Sequence, residues 1–179
     1  MDFTSDYKDR TDEIIALFAA TFSASEGPDE GRLIGELVAK LIAKTPDDDL
    51  FVFSALDDGA LAGCILFTRL TYAEDGRTVF LLAPVAVETG RQGRGIGQSL
   101  LSYGLDALRR RGVDVAVTYG DPRYYARVGF LPITEDQARA PLRLSQPEGW
   151  LAQSLTARPL DPLKGPSRCV AAFDNPAYW

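Results

Sequence analysis

The stretch that most constrains how this chain can fold is Val85, Ala86, Val87, Glu88, Thr89, Gly90, Arg91, Gln92, Gly93, Arg94, Gly95, Ile96, Gly97. It reads as an apolar strand that passes through a basic, glycine-rich turn into an amphipathic helix. Glycines at alternate positions let the backbone bend back on itself and let a ligand approach the main chain with no Cβ in the way. The first turn of the following helix has N–H groups without intrahelical partners and carries the positive end of the helix dipole. Geometry and field therefore favour an anion at the same place, and the stretch reads as a pyrophosphate site.

The same residues exclude two common nucleotide motifs. A P-loop needs a lysine and a hydroxyl directly after its last glycine, and here Gly97 is followed by Gln98 and Ser99. A dinucleotide fingerprint needs G-x-G-x-x-G and an acidic residue about twenty positions on at the end of the next strand. This turn is G-x-G-x-G, and Asp114 falls before the next strand. Composition narrows the field further. The chain has no histidine and only two cysteines, which argues against zinc sites and histidine-dependent triads. No metal is expected. Cys64 lies within the apolar run Ala62 to Phe67, where a small buried hydrophobe is favoured over an acyl-accepting thiol. A net charge of −6 opposes nonspecific nucleic-acid binding. The one basic run, Arg109, Arg110, Arg111, precedes Gly112, where it complements a helix C-terminus. Met1 to Asp6 carry no signal-peptide pattern and no apolar stretch reaches membrane-spanning length, so the expectation is a cytoplasmic protein with no membrane partner.

Apolar periodicity predicts helices over 11–24 and 29–43, interrupted by Glu26, Gly27 and Pro28, and over 95–111. Strands are predicted over 50–56 and 61–72, joined by an Asp57, Asp58, Gly59 hairpin turn, then over 78–87 and 113–119. A short strand is expected at the N-terminus, a short helix after Asp121 and Pro122 ended by Gly129, and strand-like pieces near Leu142, Trp150 to Leu155 and Val170 to Phe173. The pattern is α/β: an antiparallel meander feeding the glycine turn, then a βαβ crossover. Pro84 within an otherwise buried strand predicts disturbed pairing beside it. At 179 residues the chain is expected to form one domain over 1–179, with its motifs in 78–134 and further strands in 140–179.

Gln92, Gly95 and Gly97 match the pattern Gln/Arg-x-x-Gly-x-Gly/Ala, and the turn resembles the coenzyme A loop of the GCN5-related N-acetyltransferases (GNAT superfamily). One helix and one strand later, Gly120, Asp121, Pro122, Arg123, Tyr124, Tyr125, Ala126, Arg127, Val128, Gly129, Phe130 is similar to the Tyr-x-x-x-Gly-Phe element of the same superfamily, in the wording of its YhbS-like branch. The resemblance covers residues 78 to 134 well and the flanks in outline. It implies the GNAT fold, a mixed, mostly antiparallel central sheet flanked by helices that splays at the cofactor strand. It implies acetyl-CoA as co-substrate and a small-molecule or peptide amine as acceptor. The two helices before the meander and their joining loop would form one wall of the acceptor site, with a surface connection as the other reading of that loop. Superfamily members are often dimers, so a homodimer enters as an expectation on the same footing.

By resemblance, backbone groups of Val85, Ala86 and Val87 would pair with the pantetheine arm, the amide of Val87 would polarise the thioester carbonyl, and Gln92, Gly93, Gly95, Ile96, Gly97 and Gln98 would hold the pyrophosphate. Arg91 or Arg94 would pair with a phosphate, or else simply solubilise the turn. Tyr125, four residues before Gly129, matches the tyrosine that acts as general acid on the departing thiolate, with Tyr124 the adjacent alternative. Without histidine, the proton of the attacking amine must go to a carboxylate, directly or through water, or the amine must arrive deprotonated. Glu88 is the best-placed carboxylate, and its other reading is a turn residue at the loop entrance. The function implied is direct acetyl transfer to a primary amine in a ternary complex. The alternative is a coenzyme A or acyl-CoA-binding sensor or scaffold with little or no catalysis, and a longer acyl donor is a third reading.

Overall fold

The structure is a computed structural model that describes residues 1–179. Its strands are β1 (Asp2–Thr4), β2 (Leu50–Asp57), β3 (Ala60–Tyr72), β4 (Val79–Val87), β5 (Val115–Tyr119), β6 (Leu131–Pro132), β7 (Trp150–Ser154) and β8 (Ser167–Arg168). Its α-helices are α1 (Thr11–Glu26), α2 (Pro28–Lys44), α3 (Ile96–Arg110) and α4 (Pro122–Tyr125). The strands follow the order β1-β2-β3-β4-β5-β7-β6, with β8 paired to β3. Contacts divide the chain into two compact units, residues 1–67 with 84–104, and residues 68–83 with 105–179. β3, β4 and α3 each contribute to both.

In the first unit, the predicted helix pair breaks at Gly27, whose φ of +102° suits glycine, and Pro28 opens α2 at a position where its missing N–H costs nothing. The two helices approach closely because α2 presents Gly31 and Gly35 to α1. A Cβ built on Gly31 would lie 1.8 Å from Ser23 Oγ and 2.5 Å from the Ala19 carbonyl oxygen. The β2–β3 hairpin closes through Asp58 (φ +50°) and Gly59 (φ +81°), two left-handed residues whose twist matches the strands they join. Residues 96–104 of α3 sit on β3 through Gly104, where an added Cβ would meet Ile65, Phe67 and Phe53 within 3.2 Å. Phe53 continues this core edge-on against Phe67 and Tyr103, and Tyr103 stacks on Phe3 at 5.2 Å.

In the second unit, β4 and β5 pair in parallel from Val79–Val115 to Leu82–Thr118, and β7 pairs antiparallel with β5. The parallel ladder stops two residues short of Pro84, as a proline in the strand predicts. Asp75 and Arg77 lock the turn before β4. Arg77 donates through Nε and Nη2 to the Asp75 carboxylate, through Nη1 to the carbonyl of Asp161 and through Nη2 to that of Pro162. That pairing, with two backbone N–H donors, holds the Asp75 carboxyl well below the usual carboxylate range. Trp150 and Trp179 are buried, with indole N–H groups bonded to the carbonyls of Ala138 and Phe173.

The C-terminal third differs from the sequence reading. Of the three strand-like pieces, Trp150 to Leu155 forms β7, whereas the segment around Leu142 has no regular structure and Ala171–Phe173 is a 3₁₀ turn. The apolar residues there serve burial rather than pairing: Leu144 and Phe173 are each under a tenth exposed, in segments that make no ladder. The two-residue β6 is too short to leave a periodic trace.

Replacing Gly31 by alanine should destabilise the protein. The Ala19 carbonyl is backbone and cannot move aside, so overpacking of about 1–3 kcal/mol exceeds the gain of about 1 kcal/mol in helix propensity. Urea unfolding of Gly31→Ala should show a lower midpoint with unchanged slope; an unchanged or higher midpoint would contradict this packing.

Candidate functional site

The glycine turn folds as a sequence of short local bonds. Val87 ends β4, and the Glu88 amide still donates to the Ala62 carbonyl of β3 at 2.9 Å. Thr89–Arg91 then form a 3₁₀ turn capped by Glu88, whose Oε1 accepts from the Gly90 amide at 3.2 Å. Gly93 and Gly95 adopt φ of +73° and +78°, so two of the three alternate glycines are needed for left-handed backbone. Gly97 is helical and buried. The first α3 hydrogen bond runs from the Ser99 amide to the Gly95 carbonyl, which places the amides of Ile96, Gly97 and Gln98 ahead of the intrahelical ladder.

The side chains around the turn are arranged differently from the expectation in three places. Gln92 folds back, its Nε2 donating to the Val87 carbonyl at 3.1 Å, and the Thr21 hydroxyl of α1 approaches the same carbonyl at 3.5 Å. The Arg91 guanidinium is taken up by Asp57 and by Glu88, the latter at 3.0 Å from Nε. Glu88 is thereby bound as a turn cap and an ion-pair partner. Arg94 is exposed and carries no ion pair. Of the strand residues, Ala86 is buried and Val85 and Val87 are partly exposed, and all three lie beyond the β4–β5 ladder. The carbonyl of Ala86 lies 3.1 Å from where a Gly63 Cβ would be, so β3 carries glycine where β4 comes close.

The tyrosine element belongs to the second unit. Asp121 accepts from the Arg123 amide at 2.9 Å and caps α4, Pro122 opens it, and Gly129 (φ +95°) ends the 3₁₀ turn that continues it. Tyr125 packs edge-on against Phe130 and Tyr124, with ring centroids 5.8 and 5.1 Å away. A Cβ on Gly120 would lie 2.8 Å from the Tyr125 ring, so glycine at 120 is what lets the ring sit there. Burial pushes the Tyr125 phenol upward from its ordinary value, partly offset by a hydrogen bond with Thr118. Thr118 is itself buried and donates to the Leu82 carbonyl at 2.8 Å. Tyr124 is also raised, chiefly by burial, with Arg127 opposing. Thr118 escaped the sequence reading, and Gly120, read as the start of the tyrosine element, was given no part in seating the ring. The trace they left was one polar residue in an apolar strand and one glycine among several. The Arg109 part of the basic run pairs with Asp106 and with Gln153, which fits its structural reading.

A cavity of about 620 Å³ lies at the other end of β5, lined by residues that include Asp114, Val115, Arg77, Arg158 and Lys164. Arg77 is already saturated there by Asp75 and two carbonyls, so the cavity wall at that point is structural.

The glycine turn opening a helix and the Tyr-x-x-x-Gly-Phe element occur here in the order the resemblance requires, and the model of the Acetyltransferase (GNAT) family matches residues 11–130. The chain belongs to the GNAT family. YjhQ of Escherichia coli strain K12, an uncharacterized N-acetyltransferase, is 37% identical over 118 residues, covering 63% of this chain and 65% of its own length. YhbS of the same strain is 34% identical over 74 residues, 41% of this chain and 44% of its own. The chain thus spans less than two thirds of the length of these curated relatives in the matched region. A GNAT family acetyltransferase from Brucella melitensis, solved in complex with acetyl-CoA, matches with a TM-score of 0.74 and 26% identity over 97% of both chains. YhbS from Escherichia coli, solved in complex with CoA, matches with a TM-score of 0.79 over 97% of this chain and 92% of its own; at 24% identity this shows the fold. The GNAT fold and the YhbS-like branch follow from these likenesses. No helix is long and apolar enough to cross a membrane.

Cys64 is fully buried, with its thiol pushed up to about 12 by burial, while Cys169 is partly exposed and pushed up to about 11. Neither is poised as a nucleophile. A thiol-specific chromogenic disulfide should therefore titrate one slow thiol, Cys169, in the native protein and two in denaturant. Rapid native labelling of Cys64 would contradict this packing.

Proposed function

We propose that this GNAT chain is an acetyl-CoA-dependent N-acetyltransferase that passes an acetyl group to a primary amine by direct attack in a ternary complex. The observation that carries the reading is the turn at Gly93 and Gly95, which starts α3 with the amides of residues 96–98 ahead of its hydrogen-bond ladder. The Brucella and Escherichia structures were solved with acetyl-CoA and CoA, and another protein of this fold is an aminoglycoside 6'-N-acetyltransferase complexed with coenzyme A. The acceptor class, a small-molecule or peptide amine, rests on that likeness. A homodimer is proposed from the family resemblance, and a cytoplasmic location is proposed with it. We take both compact units as parts of one acetyltransferase domain, since the family match runs through residues of each.

In this reading the backbone of Val85, Ala86 and Val87 pairs with the pantetheine amides, and the Val87 amide polarises the thioester carbonyl. Gly93, Gly95, Ile96, Gly97 and Gln98 present amides to the pyrophosphate, and Arg94 supplies the free positive charge that Arg91, engaged with Asp57 and Glu88, does not. The neutral amine nitrogen adds to the thioester carbon, the tetrahedral intermediate expels the coenzyme thiolate, and the proton left on nitrogen passes to water. Tyr125 serves that thiolate. Because its phenol is raised, it keeps its proton through the working pH range and acts first as a hydrogen-bond donor to developing negative charge, completing the transfer as charge builds on sulfur.

Glu88 is committed to the Gly90 amide and Arg91, so its support is for bracing the turn rather than for taking the amine proton. The amine then reacts from its deprotonated fraction, and the rate should climb with pH toward the amine's own value, about 10.4 for a lysine-like acceptor. Glu88→Gln should leave turnover at saturating acetyl-CoA within about threefold of wild type, whereas loss of a general base costs about 10²–10⁴-fold.

The test of function is calorimetric titration with acetyl-CoA, with CoA and NADH alongside, followed by a screen of polyamines, aminoglycosides and lysine peptides. Acetyl-CoA should bind and Gly95→Val, which forces a branched side chain to a positive φ, should abolish binding. Tyr125→Phe and Gly120→Ala should both bind acetyl-CoA normally and lose about 10²-fold or more in transfer. Acetyl-CoA binding without transfer to any amine, and with no effect of Tyr125→Phe, would favour the sensor instead. No binding would sink both.

A further inference from the structure

We propose that Asp57, which closes β2 more than thirty residues before the glycine turn, is a positioning residue for coenzyme binding, and that it acts by holding Arg91 as an internal brace. The proposal rests on the coenzyme reading above. Between Val87 and Gln92 the backbone and side chains are tied almost wholly to one another. The Arg91 amide bonds the Glu88 carbonyl at 2.9 Å, the Gly90 amide the Glu88 carboxylate at 3.2 Å, and the Gln92 side chain the Val87 carbonyl at 3.1 Å. Such a set fixes the shape of a turn but leaves its orientation free. Orientation needs an anchor on a rigid element, and beside the 3.5 Å contact of the Thr21 hydroxyl with the Val87 carbonyl two shorter anchors are present. One is the Glu88 amide on the Ala62 carbonyl of β3. The other is Arg91, whose guanidinium lies between the Glu88 and Asp57 carboxylates with 27% of its side chain exposed, against 31% for Asp57. Asp57 stands on a two-residue hairpin whose left-handed Asp58 and Gly59 allow little play.

Two consequences separate this brace from the ordinary role of a basic residue in a phosphate loop. Arg91 is surrounded by two carboxylates, so its charge is spent inside the protein and the local sum of the three groups is negative. An arginine meant to reach an incoming anion would gain by being released from Asp57. A brace would lose. The residues it steadies lead directly into Gly93 and Gly95, whose backbone is the least restricted in the turn, and ordering them before the ligand arrives spares backbone entropy on binding. Removing the Asp57 charge therefore has opposite signs in the two cases.

The experiment is calorimetric titration of acetyl-CoA into the wild-type protein, Asp57→Asn, Arg91→Gln, the double variant and Asp57→Glu, each checked by thermal unfolding to be folded at the titration temperature. The brace predicts that Asp57→Asn and Arg91→Gln each weaken acetyl-CoA by about tenfold, that the double variant is no weaker than either, and that Asp57→Glu, which keeps the charge, recovers most of the affinity. A merely structural role for the pair would lower the unfolding temperature and leave the dissociation constant of the folded protein in place, which would overturn the proposal. Unchanged or tighter binding by Asp57→Asn, with weaker binding by Arg91→Gln, would overturn it in favour of Arg91 as a direct ligand. Failure of the wild type to bind acetyl-CoA would instead remove the coenzyme reading on which the brace stands.

Discussion

The structure depends on one backbone constraint, the reversal after β4 through residues that hold positive φ. Gly93 and Gly95 both lie in the left-handed region, where any side chain is strained. Because the chain can turn there, α3 starts directly after Gly95, with its first amides ahead of the intrahelical ladder. In the proposed reading, neither charge nor a metal ligand is needed for that geometry to hold an anion, which suits an acidic chain with no histidine. The proline at 84 supports the same end. It lies just past the last parallel pair of β4 with β5, so Val85 to Val87 are not consumed in that ladder.

The tyrosine element shows the same economy. Tyr125 is fixed by rings on two sides, by the Thr118 hydroxyl and by the bare Cα of Gly120. Its raised phenol is a consequence of that burial. Burial disfavours the phenolate, so the group is a durable donor, and in the proposed transfer the negative charge it would meet is generated by the reaction itself. An acid held this way contributes when charge appears on its partner, which is the circumstance of a leaving thiolate.

What could be read from the sequence was what is local. The hairpin at Asp58 and Gly59, the break at Gly27 and Pro28, the Asp121 and Pro122 helix start and the glycine turn each follow from the conformational preference of one or two residues, and each appears in the structure. The C-terminal third was misread where burial in irregular segments imitates a strand, as around Leu142 and at Ala171–Phe173. The fate of Arg91 was beyond reach for a different reason. Its partner Asp57 is distant in sequence and carries a complete local explanation as a turn residue, so nothing in either neighbourhood points to the other. Gln92 illustrates the limit of motif matching: the residue is in its place, while its side chain serves the Val87 carbonyl.

The measurement that tests the central claim most directly is the backbone amide NMR spectrum of ¹⁵N-labelled protein titrated with acetyl-CoA. If the left-handed turn before α3 is the anion site, the largest shifts belong to the amides of Gly93, Gly95, Ile96, Gly97 and Gln98, and CoA reproduces them because it carries the same phosphates. Shifts that spare those five amides, or that centre on the Asp114 to Lys164 cavity, would show that the turn is a structural cap and that the coenzyme reading is wrong.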